Sequence, residues 1–181
     1  MLLQDPVVSW VVSAALAAIF LIGAITKIVD FDRFVGTVQN FGVLPRGAGS
    51  VASLVVVALE VGSAAMLLIP QYRIVGGLLG LTLMIVVTGA VLVNLIRGRA
   101  NIDCGCGGAK GQRLSMGLLY RNTSMMLGLV GVMILNPSVR QLTAEDAIIC
   151  TAGIVTMCAI YFAANQVLAN SARLRSGGAG T

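Results

Sequence analysis

The sequence predicts an all-α integral membrane protein, a bundle of about five transmembrane helices. Three observations predict it. The 181 residues are 57% hydrophobic and only 10% charged, where soluble domains carry roughly 25% charged residues. The mean hydropathy is +0.95, too high for a chain that must cover its surface with polar groups in water. Finally, the apolar residues fall in long runs, each able to cross the roughly 30 Å hydrocarbon core as a helix.

In chain order the predicted spans are residues 6–26, 47–70, 74–96, 114–135 and 147–169. They make a single transmembrane helical domain over 1–172, followed by a polar tail, 173–181, that reads as disordered. The first run has Gln4 and Asp5 before it and Lys27 at its end. A signal peptide would instead have a basic stretch ahead and a small-residue cleavage site behind, so this span is expected to be retained. The second run is interrupted by Glu60, and the third has no charge. Pro70 and Gln71 make the turn between them, because proline is disfavoured inside a helix. The fourth run carries Arg121 and closes at the turn signal Asn136-Pro137; the fifth carries Cys150 and Cys158. Gly76 and Gly80 have the small-xxx-small spacing that lets membrane helices approach closely.

The chemistry available is narrow. With no histidine, Ser-His-Asp hydrolysis, Cys-His acyl transfer, His-ligated haem and His-containing zinc sites are excluded. Five phenylalanines, three tyrosines and one tryptophan leave little for stacking on bases, so no nucleic-acid partner is expected and the lipid bilayer is the environment. The net charge of +5 is better assigned to topology. Five crossings put alternate connections on opposite faces. Lys27, Arg33, Arg46, Arg97, Arg99, Lys110, Arg113, Arg173 and Arg175 fall on one face, against Arg73 and Arg140 on the other. The positive-inside rule then places the N-terminus outside and the Arg97–Arg113 connection inside.

That connection holds Cys104-Gly105-Cys106 among Gly107, Gly108 and Gly111. A disulfide between the two thiols closes a very small, strained ring, and strained bridges are the exchangeable ones. Arg97, Arg99, Lys110 and Arg113 favour the thiolate that performs exchange, while Asp103 opposes it. A zinc site would need about four ligands, two of them from Cys150, Cys158 or carboxylates. Redox exchange at Cys104 and Cys106 is therefore preferred, with no metal. Cys150 and Cys158 read as packing residues, with a thiol relay as the functional alternative.

A charge inside a span is costly and faces a partner or a cavity. Glu60 and Arg121 are expected to pair with each other, and Lys27 to be an interfacial anchor or a contact for a thiolate.

These residues resemble the methylamine utilisation protein MauE family, within the wider MauE and DoxX-like membrane proteins. The matching elements are Gly23, Lys27, Phe34, Leu44 and Pro45, then Glu60, the stretch Asn94-Leu-Ile-Arg-Gly-Arg-Ala-Asn-Ile-Asp-Cys-Gly-Cys-Gly-Gly, and Arg121-Asn122. The resemblance implies a multi-pass protein of a bacterial inner membrane, needed for maturation of the methylamine dehydrogenase small subunit. The implied partner is a thioredoxin-like protein, MauD. Cys104 and Cys106 are then the exchanging pair, supported by Lys27, Glu60, Arg97, Arg99, Asp103, Arg121 and Asn122. Direction stays open: a cytoplasmic loop makes an electron conduit, whereas a periplasmic loop makes an oxidant or isomerase partner, with quinone as the candidate for reoxidising it. A non-catalytic assembly scaffold and a small transporter using Glu60 and Arg121 are the alternative classes.

The charge asymmetry makes a testable statement about the C-terminus. In a cysteine-free background, Ser176→Cys should resist an impermeant maleimide on intact cells and label after permeabilisation; rapid labelling of intact cells reverses the topology.

Overall fold

The computed structural model describes residues 5–43, 45, 47–99, 114–134 and 143–177, with side chains as far as residue 171. It is built from six helices: α1 (Pro6–Val29), α2 (Phe31–Asn40), α3 (Gly49–Leu68), α4 (Arg73–Ile96), α5 (Met116–Ile134) and α6 (Ala144–Gly177). All but α2 are long and apolar enough to cross a membrane, and no strand occurs among the described residues.

Helix ends follow local chemistry. Asp5 caps α1, its Oδ1 accepting from the Val7 N–H at 3.0 Å, and Pro6 occupies the first turn, where a missing N–H costs nothing. The helix runs on past Thr26 to Val29 with Lys27 inside it, because that ammonium finds a buried carboxylate and need not leave for the interface. A 3-10 turn, Pro70–Tyr72, joins α3 to α4. At the other end of α4, Gly98 (φ 70°) donates to the Leu95 carbonyl at 3.0 Å and Arg99 donates to Asn94 at 2.9 Å. This is a Schellman ending, in which glycine takes the left-handed conformation at no steric cost. It gives Gly98 of the Arg-Gly-Arg string a structural job. Thr143 and Asp146 cap α6 reciprocally, Thr143 N–H to Asp146 Oδ2 at 2.8 Å and Asp146 N–H to Thr143 Oγ at 3.3 Å. This box starts α6 at Ala144, ahead of the expected 147, and the helix continues to Gly177, through the first part of the expected tail.

The short α2 is absent from the sequence-based expectation. Phe34, Val38 and Phe41 recur at spacings of four and three, the pattern of one helical face. Phe34 packs with Ala24 of α1 and Val57 of α3, and Phe41 with Val91, Leu114 and Leu118. The central core joins Leu16 and Phe20 of α1, Leu67 of α3, Leu83 of α4, and Leu129 of α5. α6 is peripheral: its most apolar stretch has no buried residue, and it reaches the core through partly buried Cys158 and Tyr161.

α3 and α4 approach closely along Gly76 and Gly80: a Cβ on Gly76 would stand 2.8 Å from the Leu67 backbone nitrogen, and one on Gly80 would stand 2.7 Å from Ser63 Oγ and 3.1 Å from the Phe20 ring. The Ser63 hydroxyl donates across the same seam to the Gly76 carbonyl at 2.7 Å. Gly80→Leu should therefore destabilise the bundle, at the upper end of the roughly 1–3 kcal/mol typical of overpacking. Gly89→Leu, where a Cβ meets nothing within 4 Å, should be tolerated; thermal melts in detergent compare the two.

Candidate functional site

Charges converge in one half of the bundle, at the end where α1 stops, α3 starts, and the 97–115 connection joins α4 to α5. Lys27 points back along α1 from its last turn. Its Nζ donates to Glu60 Oε1 at 2.7 Å, to Glu60 Oε2 at 3.0 Å and to the Gly23 carbonyl at 3.2 Å, so all three ammonium protons are engaged. The two side chains are 6% and 7% exposed. The ring of Phe34 on α2 closes the pair off, its centroid 5.5 Å from Nζ.

The expected Glu60–Arg121 pair is thereby corrected: Glu60 takes Lys27, and among the described residues no ion pair joins Glu60 to Arg121. Arg121 is turned toward α6 and α4. Its Nε and Nη2 donate to Asn122 Oδ1 at 3.2 and 2.9 Å, and its Nη1 donates to Asn165 Oδ1 at 2.6 Å. Its guanidinium carbon lies 5.6 Å from the centroid of Tyr161. Asn122 in turn donates from Nδ2 to Thr88 Oγ at 3.1 Å, tying α5 to α4. Asn94, wholly buried near the end of α4, donates to the Ala90 carbonyl at 2.9 Å.

Lys27, Glu60, Arg121 and Asn122 all line one cavity of about 400 Å³, with Phe34 and Tyr161 in its wall. The structure thus brings together four of the residues singled out from sequence. Arg97 and Arg99 are exposed at the end of α4, and Arg99 Nη1 lies 2.9 Å from where a Cβ on Gly42 would stand. Asp103, Cys104 and Cys106 lie outside the described residues. Cys150 and Cys158 are free, partly buried thiols on α6. Measured along that helix from Asn165, which meets Arg121, they lie roughly 22 and 10 Å farther from the 97–115 connection. A thiol relay through either would have to bridge that depth.

Thr88, Asn165 and Tyr161 were not foreseen, although Asn165 and Thr88 are visible as polar interruptions of apolar runs. A third buried cation lies at the opposite end, where the sequence alone shows Arg73 only as a connection charge. Arg73, 6% exposed, donates from Nη1 to Ser9 Oγ at 2.5 Å, with its guanidinium 4.9 Å from the Trp10 ring centroid.

A family model described as methylamine utilisation protein MauE matches residues 5–136. The chain belongs to the MauE family. The match runs through α1–α5 and the Cys104–Cys106 connection, and so takes in Lys27, Glu60, Arg121 and Asn122. The methylamine utilization protein MauE of Paracoccus versutus is 35% identical over 168 residues, covering 91% of this chain and 89% of that protein. The MauE of Methylorubrum extorquens is 36% identical over 138 residues, 75% of this chain and 74% of its own length. That of Methylophilus methylotrophus is 27% identical over 169 residues, 92% and 89% of the two chains. No solved structure matches. The family ties this multi-pass membrane chain to methylamine utilisation.

In this MauE-family bundle, removing one partner of a buried ion pair strands a charge and costs about 3–5 kcal/mol. Lys27→Met and Glu60→Gln should each destabilise strongly, and the double variant should be milder than their sum. Glu60→Gln with Arg121→Gln should be close to additive. Unfolding in detergent, scored as a double-mutant cycle, separates the two pairings.

Proposed function

We propose that the protein is a thiol–disulfide redox factor of the bacterial inner membrane that assists disulfide formation in the methylamine dehydrogenase small subunit. In this reading it works with the thioredoxin-like protein MauD, and Cys104 and Cys106 are the exchanging pair. The observation that carries it is the cluster of Lys27, Glu60, Arg121 and Asn122, set at the end of the bundle where the connection bearing these cysteines enters and leaves. Membership of the MauE family supports the process to which it is assigned.

The chemistry is exchange through a mixed disulfide. A partner thiolate attacks one sulfur of the Cys104–Cys106 disulfide, a bond forms between the chains, and the other cysteine leaves as thiolate. The partner's second thiol then displaces the first cysteine. One disulfide is lost and one gained, and two electrons and two protons pass from the partner to the Cys-Gly-Cys pair. Run in reverse, the same steps reduce the partner. Arg97 and Arg99, exposed beside this connection, favour the thiolate intermediates.

Changing one cysteine should stop the second displacement and trap the first adduct. Cys104→Ser or Cys106→Ser is expected to accumulate a mixed disulfide with a thioredoxin-like partner, visible on non-reducing gels and identified by mass spectrometry. In the native chain, alkylation at graded redox poise should show Cys104 and Cys106 changing together. Free thiols at every poise, with serine variants that still support growth on methylamine, overturn the reading.

A further inference from the structure

We propose that the cavity beside Lys27 and Glu60 is a binding site for a membrane quinone. Three features of the cavity lead there: its size, its opening and its inner end. A volume of about 400 Å³ lies in the range of small-molecule sites, and its walls are mainly aliphatic and aromatic, as such sites are. Val55 of α3 and Val86 of α4 line it while being 49% and 63% exposed. Both belong to membrane spans, so the cavity opens sideways toward lipid, and its occupant must partition into the bilayer.

The inner end is what selects a quinone over a simple hydrocarbon chain. An acyl chain needs only apolar walls, yet here the wall holds the Lys27–Glu60 salt bridge and the Arg121–Asn122 pair, all four residues nearly buried. Burying charged side chains within a span is expensive, and residues retained there mark functional sites. A quinone ring presents two carbonyl oxygens that accept N–H hydrogen bonds. On two-electron reduction it also takes up two protons, and Lys27 and Glu60 are a proton-bearing pair placed at the cavity wall. The exchange steps written above route no proton through them.

The electron source rests on the thiol–disulfide reading; the binding site does not. The Cys104–Cys106 dithiol closes to a disulfide with loss of two electrons and two protons, and the quinone becomes the quinol. The balance needs no further reagent.

The test uses the full chain in nanodiscs of quinone-free lipid, with decylubiquinone as the probe. Retention of decylubiquinone is measured after gel filtration against empty nanodiscs, and quinol formation is followed in the ultraviolet with prereduced protein. Saturable binding near one per chain is expected, with one quinol formed as two thiols at Cys104 and Cys106 disappear. Val86→Trp fills the lipid-side mouth from an exposed position and should weaken binding at least tenfold. Ile134→Trp, also at an exposed position but away from the cavity, should leave it unchanged. Glu60→Gln should slow quinol formation more than it weakens binding. The double serine variant of Cys104 and Cys106 should still bind but form no quinol. Retention no greater than in empty nanodiscs, phospholipid alone recovered with the protein, or binding indifferent to Val86→Trp overturns the proposal. Normal binding with no quinol formed by the native chain overturns the thiol coupling and leaves the site standing.

Discussion

The salt bridge between Lys27 and Glu60 is the constraint around which the functional half of the bundle is arranged. Taking an ammonium and a carboxylate out of water is costly, and the cost is offset only when geometry is good and the remaining protons are satisfied. Both conditions hold: Lys27 spends two N–H groups on Glu60 and the third on the Gly23 carbonyl of its own helix. The pairing fixes the rotation of α1 against α3, because each helix must turn its one charged side chain toward the other. It also decides where α2 sits, since Phe34 must cover the ammonium for the pair to stay dry. The cavity is the space these three helices leave against α4, α5 and Tyr161 of α6.

The other buried cations are handled differently. Arg121 is gripped by the amides of Asn122 and Asn165 and by the Tyr161 ring, and Arg73 by a serine hydroxyl and the Trp10 ring. A guanidinium is planar, delocalised and weakly hydrated, so amide oxygens and aromatic faces suit it, whereas a compact ammonium needs a full negative charge nearby. The choice of lysine against Glu60 and arginine against amides therefore follows from how each cation is solvated. A lysine at position 121 would keep the charge and lose the fork that reaches Asn122 and Asn165 together.

The membrane-spanning architecture was legible because long apolar runs admit few other structures. The limits of that legibility have physical causes. Sequence spacing gives depth along a helix but not which neighbour a side chain faces, so Glu60 was matched with Arg121 when the true partner lay one helix away. Lys27 looked like an anchor because the uncharged run stops at Thr26, and helix continuation past it depends on a carboxylate 33 residues distant. The ten residues of α2 are too few to register as a span; Phe34, Val38 and Phe41 carry its signal at helical period. Arg121 and Asn165 are joined across 44 residues, a separation at which no local pattern speaks. In sequence Gly98 is one residue of a string near the cysteines; its positive φ, which ends α4, is a property of the folded backbone.

The peripheral seat of α6 has a consequence for how the chain is made. α6 leans on α1, close enough that a Cβ on Gly153 would stand 2.9 Å from Val11, and it supplies Asn165 and Tyr161 to Arg121. During synthesis the first helix thus waits in the bilayer with one flank bare until the final helix emerges from the ribosome. Arg121 likewise enters the lipid before its amide acceptor on α6 has been translated. Completion of the polar layer is therefore a late, whole-chain event, and a ribosome stalled ahead of Asn165 leaves an inserted intermediate whose arginine lacks that acceptor, a natural handle for membrane quality control.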